Sequence, residues 1–225
     1  MYDLIIKNGT VIDGTGSPRK MASISIKDGK IVEVGDISSQ AKRVIDAKDK
    51  LVTPGWVDIH THYDGQATWD SYLTPSSWHG VTTSVFGNCG VGFAPVKKGS
   101  EEYLINLMEG VEDIPGSVLA EGINFSWQSF PEYIDALEKK PRIMDIGTQI
   151  PHGALRFYVM GERGTNHKEK PSEEEINKMT LLTEEGLKAG ALGISTSRTT
   201  KHKSSDGTLT PSLSADDKEL AGIAE

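Results

Sequence analysis

Residues 51–62 read Leu-Val-Thr-Pro-Gly-Trp-Val-Asp-Ile-His-Thr-His. The stretch divides the chain. Before it, short apolar runs are separated by turn signals. After it, apolar runs of strand length alternate with helical patterns. On a strand, side chains two apart share a face. His60 and His62 therefore converge, with Asp58 beside them, while Val57, Ile59 and Thr61 turn toward the helices. A His-x-His pair by itself is most often incidental to a strand. This one closes the first strand after a Thr-Pro-Gly turn and runs into polar Tyr63-Asp64-Gly65. Two imidazoles held there can share a divalent ion, and zinc suits nitrogen ligands.

Upstream, "DLIIK" and "TVID" flank Asn8-Gly9, and "SISIK" and "KIVEVG" flank Asp28-Gly29. Both dipeptides tolerate positive φ and predict hairpins, hence a small antiparallel β unit. Downstream, Trp56–His62 and Val81–Gly87 read as strands. A helix is predicted over Glu101–Val111, where Tyr103, Leu104, Leu107, Met108 and Val111 share a face. Ser129 and Glu132, and again Ser172 and Glu175, have the spacing of a capping box. The first pair opens a helix that stops before Pro141; the second opens one that runs to Ala189 and stops at Gly190. "RIMDIGTQI" and "ALGISTS" give a third and a fourth strand, and "SADDKELAGIAE" begins another helix. Strands alternating with helices imply a parallel sheet. About four strands are fewer than the eight that close a barrel, so the chain reads as the N-terminal part of something longer rather than a small open sheet.

The bulk properties exclude some functions. A net charge of −8 argues against a nucleic-acid groove. No apolar run reaches the ~20 residues of a membrane span. "MYDLIIKNG" is not a secretory leader. A single cysteine excludes an internal disulfide and fits a reducing compartment, so the cytoplasm is expected.

That cysteine, Cys89, follows the second strand between Gly87 and Gly90 in "FGNCGVGFAP". A lone cysteine is usually a small apolar filler. At the ligand-bearing end of a strand, in a glycine-rich turn, a thiolate near a cation is the alternative.

The β unit ending in "LVTPGWVDIHTH" resembles the amidohydrolase superfamily, whose members pair a β-sandwich with a metal-bearing (β/α)8 barrel. The resemblance covers the whole chain. It implies an antiparallel β-sandwich unit over residues 1–53 and the first, incomplete part of a TIM-type barrel over residues 54–225. "GNCG" is similar to the N-acyl-D-amino-acid deacylase (D-aminoacylase) branch, as are "IPHGALRFYVMG" and "GALGISTSRTTKHKSSDGTLTP". In that branch the cysteine is a metal ligand. The resemblance implies that Cys89 holds one site with two later histidines, and that His60 and His62 serve a weaker one with a later aspartate. Those partners, and the general base, are expected beyond Glu225. It implies one or two zinc ions and hydrolysis of a small-molecule N-acyl-D-amino acid to a carboxylate and a D-amino acid.

His152 and Arg198 are candidate substrate contacts, the second for the substrate carboxylate. Ser195, Ser197 and His202 share a loop with Arg198 and are weaker candidates. Asp64 lies near the histidines, though a turn role serves it equally. His79 precedes a strand, at the wrong end for chemistry, and His167 reads as a surface loop. Two rivals remain. A cyclic-amide hydrolase would need a bridging lysine, a place that neither Lys188 nor Lys201 clearly occupies. A non-catalytic metal-binding half-barrel needs neither base nor substrate site.

Overall fold

The computed structural model describes residues 1–224. The chain divides into two compact units, Met1–Gly55 and Trp56–Glu225.

The first unit is a single five-stranded sheet of β1 (Tyr2–Val11), β2 (Lys20–Lys27), β3 (Lys30–Gly35), β4 (Ala41–Asp46) and β5 (Leu51–Val52). The order is β3-β2-β1-β4, with β5 also pairing β1. The Asp28-Gly29 hairpin forms as expected, with φ of 52° and 72° at the two turn residues. The Asn8-Gly9 hairpin does not. β1 runs straight through it, and Asn8, at φ 61°, marks a bulge where the pairing with β2 shifts between Ile6 and Gly9. Positive φ serves a bulge as well as a turn. Gly9 is required for a different reason, since a Cβ there would collide with Val52. The expected antiparallel unit is therefore mixed: β1–β2 and β2–β3 are antiparallel, but β1–β4 and β1–β5 are parallel. Val11, Ala22 and Ile24 form its buried core.

In the second unit, β6 (Trp56–Asp58), β7 (Val81–Phe86) and β8 (Asp145–Thr148) form a parallel sheet in chain order. β9 (Ile150–Pro151) and β10 (Ile194–Ser195) make a second parallel pair. The helices are α1 (Glu101–Glu112), α2 (Gly116–Gly122), α3 (Phe130–Glu138), α4 (His152–Met160), α5 (Glu162–Thr165), α6 (Glu173–Ala189) and α7 (Asp217–Ala224). α1 buries Leu104, Ile105, Leu107 and Met108 against a core that includes Phe86, Phe93, Tyr133 and Ile150. Each fully buried side chain of this size stabilises by roughly 1.5–3 kcal/mol. Both capping boxes form: Ser129 with Glu132 opens α3, and Ser172 with Glu175 opens α6, which ends on Gly190 at φ 117°. Among the described residues, no helix is long and apolar enough to cross a membrane.

Two expectations need correction here. β6 stops at Asp58, so His60 and His62 lie in the loop beyond the strand rather than on it. Val57 and Ile59 are 59% and 72% exposed, not turned into a helical layer; only Thr61 is buried.

Candidate metal centre

Two loops build the site, and backbone-directed hydrogen bonds lock them together. Thr61 lies between the histidines. Its N–H donates to the Val85 carbonyl at 2.9 Å, and its hydroxyl lies 2.8 Å from that of buried Ser84. Pinning Thr61 to β7 leaves His60 and His62 to project past the strand ends. In the second loop, Cys89 sits at φ 56°, between Gly87 and Gly90 at 77° and 71°. A Cβ on Gly87 would overlap the Gln149 carbonyl oxygen, so only glycine admits that close approach. Asn88 joins the loops. Its amide donates to the carbonyls of Thr61 and Val85, each at 3.0 Å, and its side-chain oxygen accepts from Gln149 Nε2 at 2.8 Å. Ser195, at the end of β10, accepts from Gly90 N–H at 2.9 Å and donates to the Gly87 carbonyl, which fixes both ends of the cysteine turn.

The result is convergence. His60 Nε2 lies 3.4 Å from Cys89 Sγ, and the His60 and His62 rings are 5.5 Å apart. Ligand atoms of His60, His62 and Cys89 all fall within 4.8 Å of one another. Glu112, the last residue of α1, places Oε1 3.1 Å from His62 Nε2. His202 approaches from the loop after β10, and a ligand atom each from Cys89, Glu112 and His202 also lies within 4.8 Å of the others.

In the metal-free protein the charges are suppressed. Burial, then the neighbouring His60 and His202, pushes His62 down to about 4. Burial, then Asp113, pushes Glu112 up to about 7. The His62–Glu112 contact is thus a hydrogen bond from neutral imidazole more than a full ion pair. Burial also raises fully enclosed Asp64 to about 7 and lifts the Cys89 thiol. A divalent cation inverts this logic, because it favours thiolate, carboxylate and neutral imidazole together.

The residues present fit such an ion. Two imidazoles and a thiol are the donors zinc selects. Nδ1 of His62 is buried and has no hydrogen-bond partner, which is costly unless something else takes its lone pair.

Other sequence candidates fall elsewhere. His152, fully buried, uses both ring nitrogens on protein: Nδ1 lies 2.9 Å from Thr196 Oγ1 and Nε2 3.1 Å from Glu219 Oε1. In this arrangement the imidazole links α4 to Thr196 and to Glu219 of α7. Arg198 is exposed on the loop after β10. His79 is exposed and ends a short turn of helix before β7. His167 is on the surface, 2.8 Å from Ser214 Oγ. Asp64 is a buried turn residue, and its carbonyl accepts from Tyr133 at 2.6 Å. Glu112 was not legible as a site residue, because a glutamate ending a helix looks like solvent-facing charge. The one available signal was its place. A negative charge at a helix C-terminus opposes the dipole, and the last turn of α1 holds no basic residue to offset it.

The amidohydrolase family model matches residues 43–225. The chain belongs to the amidohydrolase family. Among curated members, D-aminoacylase of Alcaligenes xylosoxydans xylosoxydans is 32% identical over 196 residues, covering 87% of this chain and 37% of that one. The crystal structure of a D-aminoacylase superposes with a TM-score of 0.78 at 32% identity, covering 100% of this chain and 42% of the other. N-acyl-D-glutamate deacylase from Bordetella bronchiseptica, solved with zinc and a phosphonate inhibitor, gives 0.74 at 28% identity, covering 99% and 42%. The resemblance to D-aminoacylases is therefore shared by sequence and fold. This amidohydrolase chain spans about a third of the length of the curated relatives that match most of it.

Proposed function

We propose that the protein is a zinc-dependent amidohydrolase that cleaves the linear amide of N-acyl-D-amino acids, releasing a carboxylate and the D-amino acid. The observation that carries this is the convergence of His60, His62 and Cys89 at the carboxyl ends of β6 and β7, with His60 Nε2 3.4 Å from Cys89 Sγ. The strand order also supports it. Parallel strands that neighbour one another in chain order, with chemistry at their carboxyl ends, suit the first part of a (β/α)8 barrel. Deacylases of D-amino-acid derivatives are among the relatives that match, and one was solved with zinc.

In this reading His60, His62 and Cys89 hold the metal. When bound, a divalent ion supplies carbonyl polarisation and activation of water at neutral pH. The chain's own residues do the rest of the positioning. Thr61 and Asn88 hold the histidine loop against the cysteine loop. Ser195 fixes the turn that presents the thiol. Arg198, exposed on the same side of the fold as β10's carboxyl end, is offered as a contact for the substrate carboxylate, and the general base is assigned to none of the described residues.

The experiment is turnover by the full-length, zinc-loaded protein. Release of free amino acid from N-acetyl-D-amino acids, and not from their L-isomers, is expected. Opening of dihydrouracil without such release would replace this reading with a cyclic-amide hydrolase. Tight zinc without turnover of any amide would leave a metal-binding module.

A further inference from the structure

The hydrogen bonds of Glu219 and His152 end on a hydroxyl that faces outward. We propose that Thr196 is a substrate contact, a hydrogen-bond acceptor whose lone pairs are directed out of the fold by His152 and Glu219, and that it takes the amide N–H of the acylated amino acid. The identity of that donor rests on the amide-hydrolase reading above; the orientation of the hydroxyl does not.

The buried end of the series sets its polarity. Glu219 is 1% exposed and His152 is fully buried. Burial alone would raise the Glu219 carboxyl, but the bonds from His152 and Arg156 hold it below the usual glutamate range. It is therefore ionised at neutral pH and only accepts. The proton between Glu219 Oε1 and His152 Nε2, 3.1 Å apart, belongs to the imidazole. A neutral imidazole carries one N–H, so Nδ1 keeps a lone pair. Thr196 Oγ1, 2.9 Å from Nδ1, then donates its proton inward. Its oxygen lone pairs remain, and Thr196 is exposed. A freely rotating hydroxyl offers a ligand either role. This one is preorganised as an acceptor, so binding pays nothing to orient it.

The place suits a substrate. Thr196 directly follows β10, at the carboxyl end where barrels carry their chemistry. Both neighbours are fixed: Ser195 Oγ accepts from Gly90 N–H at 2.9 Å, and the Ser197 carbonyl accepts from Ser212 Oγ at 2.8 Å. A Cβ on Gly90 would come within 3.2 Å of Thr196 Cα, so the threonine stands beside the glycine turn that follows β7. In the common frame of an N-acyl amino acid the acyl oxygen and the carboxylate only accept. The N–H of the scissile amide is the donor, and a fixed acceptor selects it. Carboxylate, imidazole and hydroxyl in series also activate nucleophiles. In the metal-dependent reading water is the attacking group, so the hydroxyl is assigned to binding.

The test compares two substrates of the full-length, zinc-loaded protein: an N-acetyl-D-amino acid, and the O-acetyl-D-2-hydroxy acid that replaces its N–H with oxygen. Thr196→Val keeps the shape and removes the hydroxyl. It should lower kcat/KM for the amide about 3–10-fold, chiefly through KM, which is what one neutral hydrogen bond is worth. It should leave the ester unchanged or improve it, because the ester oxygen has no proton to give. Thr196→Ser should restore the amide, and zinc content should stay at the wild-type value throughout. His152→Gln, shown to be folded by circular dichroism, should lower amide turnover in the wild type and add nothing to Thr196→Val, as expected of a positioning residue that acts through the threonine. Nitrogen chemical shifts of the His152 ring at neutral pH should show the proton on Nε2. Equal losses for amide and ester in Thr196→Val, or no loss for either, overturn the proposal and leave the amide-hydrolase reading standing. So does a proton on His152 Nδ1. If the wild type turns over neither substrate, the amide-hydrolase reading fails and the substrate assigned to Thr196 falls with it.

Discussion

Asn88 donates to the Thr61 carbonyl at 3.0 Å, and that one contact ties the histidine loop to the cysteine loop. The same amide group also reaches the Val85 carbonyl, and Gln149 completes its oxygen. Asn88 is 6% exposed, so its own amide depends on these partners rather than on water.

Asn88→Ala removes the partner of the buried Thr61 carbonyl and of the half-buried Gln149 amide, while the Val85 carbonyl keeps its bonds from Thr61. A cost of about 2–3 kcal/mol in urea unfolding is expected, at roughly 1–3 kcal/mol for each orphaned group after partial relaxation. Zinc affinity should fall with it, because His60 and Cys89 lose their common support. Asn88→Asp should do no better, since a carboxylate cannot donate to Thr61 or Val85. Competition with a chromophoric chelator measures the affinity. A variant that is less stable but holds zinc as tightly as wild type would show that the clamp serves folding alone.

Ser195 acts on the other side of the same turn. Ser195→Ala frees Gly87 and Gly90 from their shared hydroxyl. A loss of about 1 kcal/mol in stability is expected. The more telling readout is the thiol. In metal-free protein, Cys89 should react faster with a disulfide reagent, with Cys89→Ser as the blank. An unchanged rate means that the turn is held without the serine.

What the sequence disclosed, and what it did not, follows from where the information sits. α1, α3 and α6 were legible because their signals are local: an apolar stripe in α1, and Ser129–Glu132 and Ser172–Glu175 at helix starts. α4 was not. Residues His152–Phe157 are all buried, so the polar face that reveals a helix is missing. Asn8-Gly9 announced positive φ correctly, but only the pairing partner decides between turn and bulge. In the site, the His60/His62 spacing and the glycines around Cys89 were visible from neighbouring residues. Glu112 and His202 reach the same place through tertiary packing, and no spacing in the chain records that.

The buried group of Glu219, His152 and Arg156 sets a pH dependence. Burial would raise the Glu219 pKa. The hydrogen bond from His152 and the charge of Arg156, whose Nε lies 2.8 Å away, outweigh it and hold the pKa below the usual glutamate value. A depressed folded pKa contributes stability that is present above the unfolded value, near 4.3. It is lost as pH falls through the folded value. Glu219→Gln should therefore destabilise by about 3–5 kcal/mol at neutral pH, where it leaves Arg156 buried and unpaired. The gap to wild type should narrow below about pH 4. Unfolding by urea at a series of pH values checks this. A gap that is constant down to pH 3 would place the stabilisation in shape rather than charge.

Metal loss should rank the ligands. Cys89→Ser is expected to lower bound zinc more than His60→Asn. The thiolate is the softest donor present, and replacing it with a hydroxyl removes a charge as well as a bond. The geometry gives a second reason. Cys89 lies within 4.8 Å of donors in both groups, His60 with His62 and Glu112 with His202, whereas His60 belongs to one. Loss of His60 leaves three nearby donors around the sulfur, and loss of Cys89 leaves two incomplete pairs. Elemental analysis after dialysis against a weak chelator measures the zinc retained. Equal zinc in wild type and Cys89→Ser would return Cys89 to the ordinary part of a buried cysteine, and the assignment of the centre would rest on the histidines alone.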